Sequence, residues 1–145
     1  MNFQNFRLEY IESETDWKVF GDITDDQNNI LGSFGPDGTL VSPWWYRQDD
    51  RFQYGLASQF AVEIARIKVP EGSINLQQFR IDKVNNDWLI FGNIEDDAGN
   101  ILDTFGESGT SITQFWLSQP QEWQIGYVQR FAITMAQEIL AGTAE

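Results

Sequence analysis

The chain repeats itself, and that constrains its fold more than any other feature. Sliding the 145-residue sequence on itself by 71 positions pairs Asp16-Trp17 with Asp87-Trp88, Phe20-Gly21 with Phe91-Gly92, and Asp25-Asp26 with Asp96-Asp97. The match continues through Asn29-Ile30-Leu31 and Asn100-Ile101-Leu102, Phe34-Gly35 and Phe105-Gly106, Gly38-Thr39 and Gly109-Thr110, and Trp45 and Trp116. It then reaches Gln53 and Gln124, Gly55 and Gly126, and Phe60-Ala61 and Phe131-Ala132. From residue 16 to 66 there are 21 identities in 51 positions. Upstream, Phe6-Arg7-Leu8 answers Phe79-Arg80-Ile81 with an offset of 73, so the two copies differ by two residues in their first turn. Length changes of that kind fit a surface hairpin loop.

Each copy reads as short strands followed by a helix. Phe6, Leu8 and Tyr10 alternate with polar residues, as do Trp17, Val19 and Gly21, the pattern of half-buried strands. Asp26-Gln27-Asn28-Asn29 and Asp97-Ala98-Gly99-Asn100 read as hairpin turns whose third residue is left-handed, where Gly is free and Asn tolerated. Gly35-Pro36-Asp37-Gly38 and Gly106-Glu107-Ser108-Gly109 make a second pair of turns. A fourth strand is expected through Val41 to Tyr46 and again through Ile112 to Leu117.

The apolar period then lengthens. Phe52, Leu56, Phe60, Ile64 and Ile67 predict one helix, capped by Asp49 or Asp50 and stopped by Pro70. Trp123, Tyr127, Phe131, Met135 and Ile139 predict its counterpart. Ser118 and Gln121 have capping-box spacing there, Pro120 sits in the first turn and Gly142 suits the C-terminal cap. The expectation is an α+β fold of tandem ββββα units with pseudo-twofold symmetry, antiparallel sheets packed by two helices. A chain of this length fits one domain, whereas two independent domains of about seventy residues would each be marginal. Residues 1–145 are therefore read as a single domain, with repeat one at 1–72 and repeat two at 73–145.

Composition narrows the function classes. With no Cys and no His, the common zinc ligands, Cys nucleophiles and His-based triads are excluded. No disulfide framework is possible, which agrees with a reducing cytoplasm. The N-terminal residues carry no charged segment followed by an apolar run, and no apolar stretch approaches the length of a membrane span. A cytoplasmic setting without membrane contact is expected. Net charge is −13 and both halves carry it: residues 1–73 hold 12 acids and 6 bases, residues 74–145 hold 10 acids and 3 bases. Such a field repels polyphosphates and steers basic peptides or basic protein faces inward.

The order of four strands then a helix, twice over, resembles the PC4, PUR and Whirly single-stranded-nucleic-acid binders in topology. That resemblance implies their fold and a stacking mode of nucleic-acid binding, although those families use basic strand faces. The Asn/Gln-rich, Cys-free, acidic composition also resembles small cyanobacterial or phage accessory proteins, carboxysome-assembly chaperones among them.

Residue by residue, Thr24-Asp25-Asp26 and Glu95-Asp96-Asp97 are carboxylate clusters of the kind from which cation sites begin, but their spacing fails the EF-hand pattern. Turn-forming Asp is the preferred reading, and neither a metal nor a cofactor is expected. Adjacent strand residues point to opposite faces, so Asp25 and Asp26 cannot form a catalytic dyad. By the same rule Trp44-Trp45-Tyr46 cannot all enter one core. If the duplicated Trp45 is structural, Trp44 and Tyr46 lie on the other face, covered by another layer or exposed as anchors. The copies diverge most sharply between Trp44–Arg51 and Phe115–Glu122, so a partner would meet the two halves unequally.

The leading expectation is a non-enzymatic protein-binding module, an adaptor or assembly chaperone. It would grip a basic or extended segment through Trp44, Tyr46, Arg47, Asp49, Asp50, Arg51, Phe115 and Trp123. A nucleic-acid-mimic inhibitor or immunity protein and a single-stranded-nucleic-acid binder are the alternatives.

Overall fold

The computed structural model describes residues 1–142. Repeat one forms β1 (Asn2–Ile11), β2 (Asp16–Thr24), β3 (Ile30–Ser33), β4 (Thr39–Leu40), α1 (Val41–Arg47) and α2 (Asp50–Lys68). Repeat two forms β5 (Asn75–Val84), β6 (Asp87–Glu95), β7 (Ile101–Thr104), β8 (Thr110–Ser111), α3 (Ile112–Ser118) and α4 (Gln121–Leu140). Among the described residues these make two antiparallel four-stranded sheets, the α+β duplication read from the sequence. In the first, β2 is flanked by β1 on one side and by β3 and then β4 on the other; β6 occupies the same place in the second.

The two-residue length difference lies in the first turn of each copy. Between β1 and β2 the chain makes a 3-10 turn, Glu12–Glu14, and a left-handed Thr15, whereas Asn85 and Asn86, both left-handed, suffice between β5 and β6. Two consecutive left-handed residues match the strand twist and make the tighter hairpin. The later turns follow expectation: Asn28 and its counterpart Gly99 have φ of 68° and 86°.

Both first strands are bulged at a left-handed residue, Asn5 or Gln78, where the register shifts between Gln4 and Arg7 or between Gln77 and Arg80. The bulge brings backbone against backbone. A Cβ on Gly21 (φ 136°) would lie 3.0 Å from Phe6 Cα and 3.2 Å from the Gln4 carbonyl oxygen. Gly92 (φ 137°) faces Phe79 Cα and the Gln77 carbonyl oxygen in the same way. A side chain is therefore strained at both positions.

One expectation is corrected. The fourth strands stop after two residues, and Val41–Arg47 and Ile112–Ser118 are helices. Their cores are spaced three residues apart, Val41 with Trp44 and Ile112 with Phe115, which is helical spacing. The starts of both helices are held by a carboxylate on the neighbouring strand: Asp16 accepts from the Ser42 amide at 3.2 and 3.1 Å, and Asp87 from the Thr113 amide at 3.2 Å. Ser111 additionally caps α3 by accepting from the Gln114 amide at 3.1 Å.

The long helices fall close to their predicted limits. Asp49 caps α2, its Oδ1 accepting from the Phe52 amide at 2.8 Å, and Pro70 follows the last turn. Ile67 does not join the buried stripe; it is exposed. At α4 the capping box does not form. Pro120 occupies the N-cap without a side-chain bond, and Ser118 Oγ donates instead to the Phe115 carbonyl. Gly142, left-handed at φ 73°, follows the C-cap residue Ala141 and donates its amide to the Ile139 carbonyl at 3.1 Å.

The compact units do not coincide with the repeats. One comprises residues 1–47 and 120–145; the other comprises residues 48–119. Each sheet is thus closed by the long helix of the other repeat. In the first unit Trp17, Val19, Ile23 and Phe34 are buried with Val128, Phe131, Ala132 and Met135 of α4. In the second, Trp88, Ile90, Ile94 and Phe105 are buried with Leu56, Ala57, Phe60 and Ala61 of α2. The seal is repeated as a buried hydrogen bond: Trp17 Nε1 donates to Gln124 Oε1 at 2.8 Å, and Trp88 Nε1 to Gln53 Oε1 at 3.1 Å.

Candidate functional site

The first unit contains a cleft of about 490 Å³ between the β3–β4 turn, α1 and the end of α4. Phe34, Met135 and Ile139 supply apolar walls, Ser33 and Thr39 hydroxyls, and Arg47 and Glu138 the charges. Trp44 also lines it, but from below: its ring is 2% exposed and packs on Phe131 at 5.3 Å. The indole Nε1 donates to Glu138 Oε1 at 3.2 Å, fixing one carboxylate oxygen at the site. The Phe34 end is braced by the duplicated turn, in which Thr39 Oγ1 donates to the Phe34 carbonyl at 2.7 Å.

The cleft is where the repeats part. Under the offset of 71, Trp44, Arg47 and Glu138 correspond to Phe115, Ser118 and Ile67. The second copy therefore cannot form the indole–carboxylate bond and lacks both charges. Phe34, Gly35 and Thr39, which shape the opposite wall, are identical in the two copies.

The structure divides the residues singled out from the sequence between the two units. Trp44, Tyr46, Arg47 and Trp123 belong to the first; Asp49, Asp50, Arg51 and Phe115 belong to the second. Trp44 and Arg47 line the cleft, and Tyr46, on the same helix, is 53% exposed and does not. The expectation that Trp44 and Tyr46 share a strand face is corrected: helical geometry turns Trp44 into the core, so it cannot be a protruding anchor. Trp123 packs on Tyr127 at 4.8 Å. Asp49 caps α2, and Asp50 pairs with Lys83 at 2.7 Å. Arg51 is exposed in the first turn of α2, and Phe115 is buried against Phe60 at 5.5 Å. Glu138, Met135 and Ile139 were missed as site residues. Their signal was available in the duplication: Glu138 is a charge facing an apolar Ile67 in the other copy.

The acidic turns are structural. Asp25 Oδ1 accepts from the Gln27 and Asn29 amides, both at 2.9 Å, and Oδ2 from Asn29 Nδ2 at 3.0 Å. Asp96 repeats the arrangement with Ala98 and Asn100. Bonding to the Asn side chain and to these amides holds both carboxyls below the ordinary Asp value. Among the described residues no group of three or more acidic side chains is placed to hold a metal ion.

The open sheet faces are also occupied. The Arg7 guanidinium lies 3.9 Å over the Phe20 ring, and Gly38 approaches the same ring; Arg80 and Gly109 treat Phe91 likewise, with the guanidinium at 4.0 Å. These rings are covered by the protein's own groups, which disfavours base stacking on this face. Among the described residues no helix is long and apolar enough to cross a membrane.

No protein-family model, curated protein or solved structure matches the chain. The resemblance to the PC4, PUR and Whirly binders rested on an order of four strands and one helix, whereas each repeat has two helices after a fourth strand of two residues.

Proposed function

We propose that this is a non-enzymatic protein-binding module, an adaptor or assembly chaperone, whose working site is the cleft of the first unit. The occupant is an extended segment of a partner protein carrying an apolar anchor flanked by basic residues. One observation carries the reading: the cleft brings together Trp44, Arg47 and Glu138, three of the positions at which the two copies differ, and these three supply its indole–carboxylate bond and its charges. Apolar walls from Phe34, Met135 and Ile139 suit the anchor. Glu138 and a net charge of −13 favour the flanking cations, while Arg47 offers donors to backbone carbonyls of the segment. The β3 and β7 edges are poorer docking places, because these strands are four residues long and pair irregularly, features that blunt strand addition. A cytoplasmic setting suits a chain without Cys.

The duplication supplies the control. Trp44→Phe, Arg47→Ser and Glu138→Ile give these three positions of the first cleft the residues of the second copy. The intact chain and this triple variant are titrated calorimetrically with short peptides in which one Leu or Phe is flanked by Lys and Arg, at low and physiological salt. Binding by the intact chain that weakens with salt, and falls at least about tenfold in the triple variant, supports the reading. Equal binding by both proteins, or none by the intact chain, overturns it.

A further inference from the structure

We infer that the chain is a covalently fused exchange dimer: the two repeats are each other's binding partner, and the segment 69–74 that joins them is not what holds them together. The main closing contacts occur twice with the repeats exchanged. Trp17 of repeat one bonds Gln124 of repeat two, and Trp88 of repeat two bonds Gln53 of repeat one. Trp45 lies 6.4 Å from Phe131, and Trp116 lies 6.3 Å from Phe60. Trp44 packs at 5.3 Å on Phe131, and Phe115 at 5.5 Å on Phe60. The residues making these contacts are almost all identical between copies: Trp17 and Trp88, Gln53 and Gln124, Trp45 and Trp116, Phe60 and Phe131. A sheet built by either repeat therefore presents the same receptor for a helix, and either helix carries the same key. Reciprocal use of one patch pair defines a self-complementary association.

The placement of the joining segment sharpens this. Residues 69–74 run from the end of α2 to the start of β5, and both of those elements belong to the unit of residues 48–119. Cutting the segment leaves a fragment that gives its sheet to one unit and its helix to the other, facing a fragment that does the converse. Separation then requires two apolar seals to open together, an arrangement in which the second contact forms at high effective concentration.

The test uses the full chain with a specific protease sequence inserted between Glu71 and Gly72, purified intact and then cleaved. The expected result is that the cleaved protein co-elutes at the mass of the uncut chain at micromolar concentration, with its near-ultraviolet circular dichroism and amide spectrum unchanged away from the cut. Its denaturation midpoint should fall on dilution, while that of the uncut chain stays fixed. Elution of two folded half-mass species would overturn the inference, because each repeat would then close on itself. Loss of the near-ultraviolet signal on cleavage would overturn it equally, because the linker would then be needed.

Discussion

The indole of Trp17 donates to the side-chain carbonyl of Gln124 at 2.8 Å across 107 residues of chain, and both groups are buried. Replacing Gln124 by Leu keeps the bulk but leaves the indole N–H without its acceptor. A buried donor stripped of its partner costs about 1–3 kcal/mol. Urea denaturation of Gln124→Leu should register a loss in that range, and Gln53→Leu, which strands Trp88, should behave alike.

Gly21 stands where a Cβ would press on Phe6 Cα at 3.0 Å, with a φ of 136° that side chains rarely adopt. Both the strain and the close approach oppose Gly21→Ala. The expected loss is about 1–3 kcal/mol, read by thermal denaturation, with Gly92→Ala as its counterpart. Gly55→Ala, with open space around its Cβ, serves as the control and should be neutral or slightly stabilising.

Asp16 and the turn aspartates respond oppositely to acid. Burial raises the Asp16 carboxyl above its ordinary value despite the Trp17 and Ser42 amides that stabilise its charge. The folded state therefore takes up its proton before the unfolded chain does, and this group's contribution improves as pH falls from neutrality toward the ordinary Asp value. Asp25 and Asp96 are lowered, so their contributions are complete above that value and are lost as pH drops below it. Denaturation midpoints between pH 7 and 4 should show wild type gaining on Asp16→Asn. Below pH 4 wild type should lose ground to Asp25→Asn.

Asp49 was read as a partner-binding residue, but its carboxylate caps α2. Asp49→Ala should cost about 1 kcal/mol of stability, as loss of an N-cap does, and leave peptide affinity unchanged. An affinity loss without a stability loss would return Asp49 to the binding surface.

The repeat, the hairpins, the left-handed Asn28 and Gly99, and the span of both long helices were legible because each is fixed by local chemistry or a long period. The short helices were not. Val41 to Tyr46 is β-branched and aromatic, and a seven-residue helix shows its spacing only once, as Val41 to Trp44. The overlooked signals were Pro43, early in α1, and Ser111-Ile112-Thr113-Gln114, which has capping-box spacing and carries a real cap. For that reason Trp44 was expected on a strand face rather than on a helix. The exchange of helices could not be read at all: when two helices carry the same Gln and Phe, pattern says that a sheet will be covered but not by which copy.

Helix exchange also imposes a timetable on synthesis. The first sheet is complete once Leu40 has left the ribosome, yet its proper cover begins only at Gln121. In the interval Trp17, Val19 and Ile23 lack that cover, and the first long helix to emerge is α2, which bears at Gln53 the same glutamine as the awaited partner. The nascent chain thus meets, in its own next segment, a helix carrying the same Gln and Phe as the awaited one. The second sheet, finished at Ser111, is the one that holds α2, so the portion made in the middle has all its elements before the portion made earliest does.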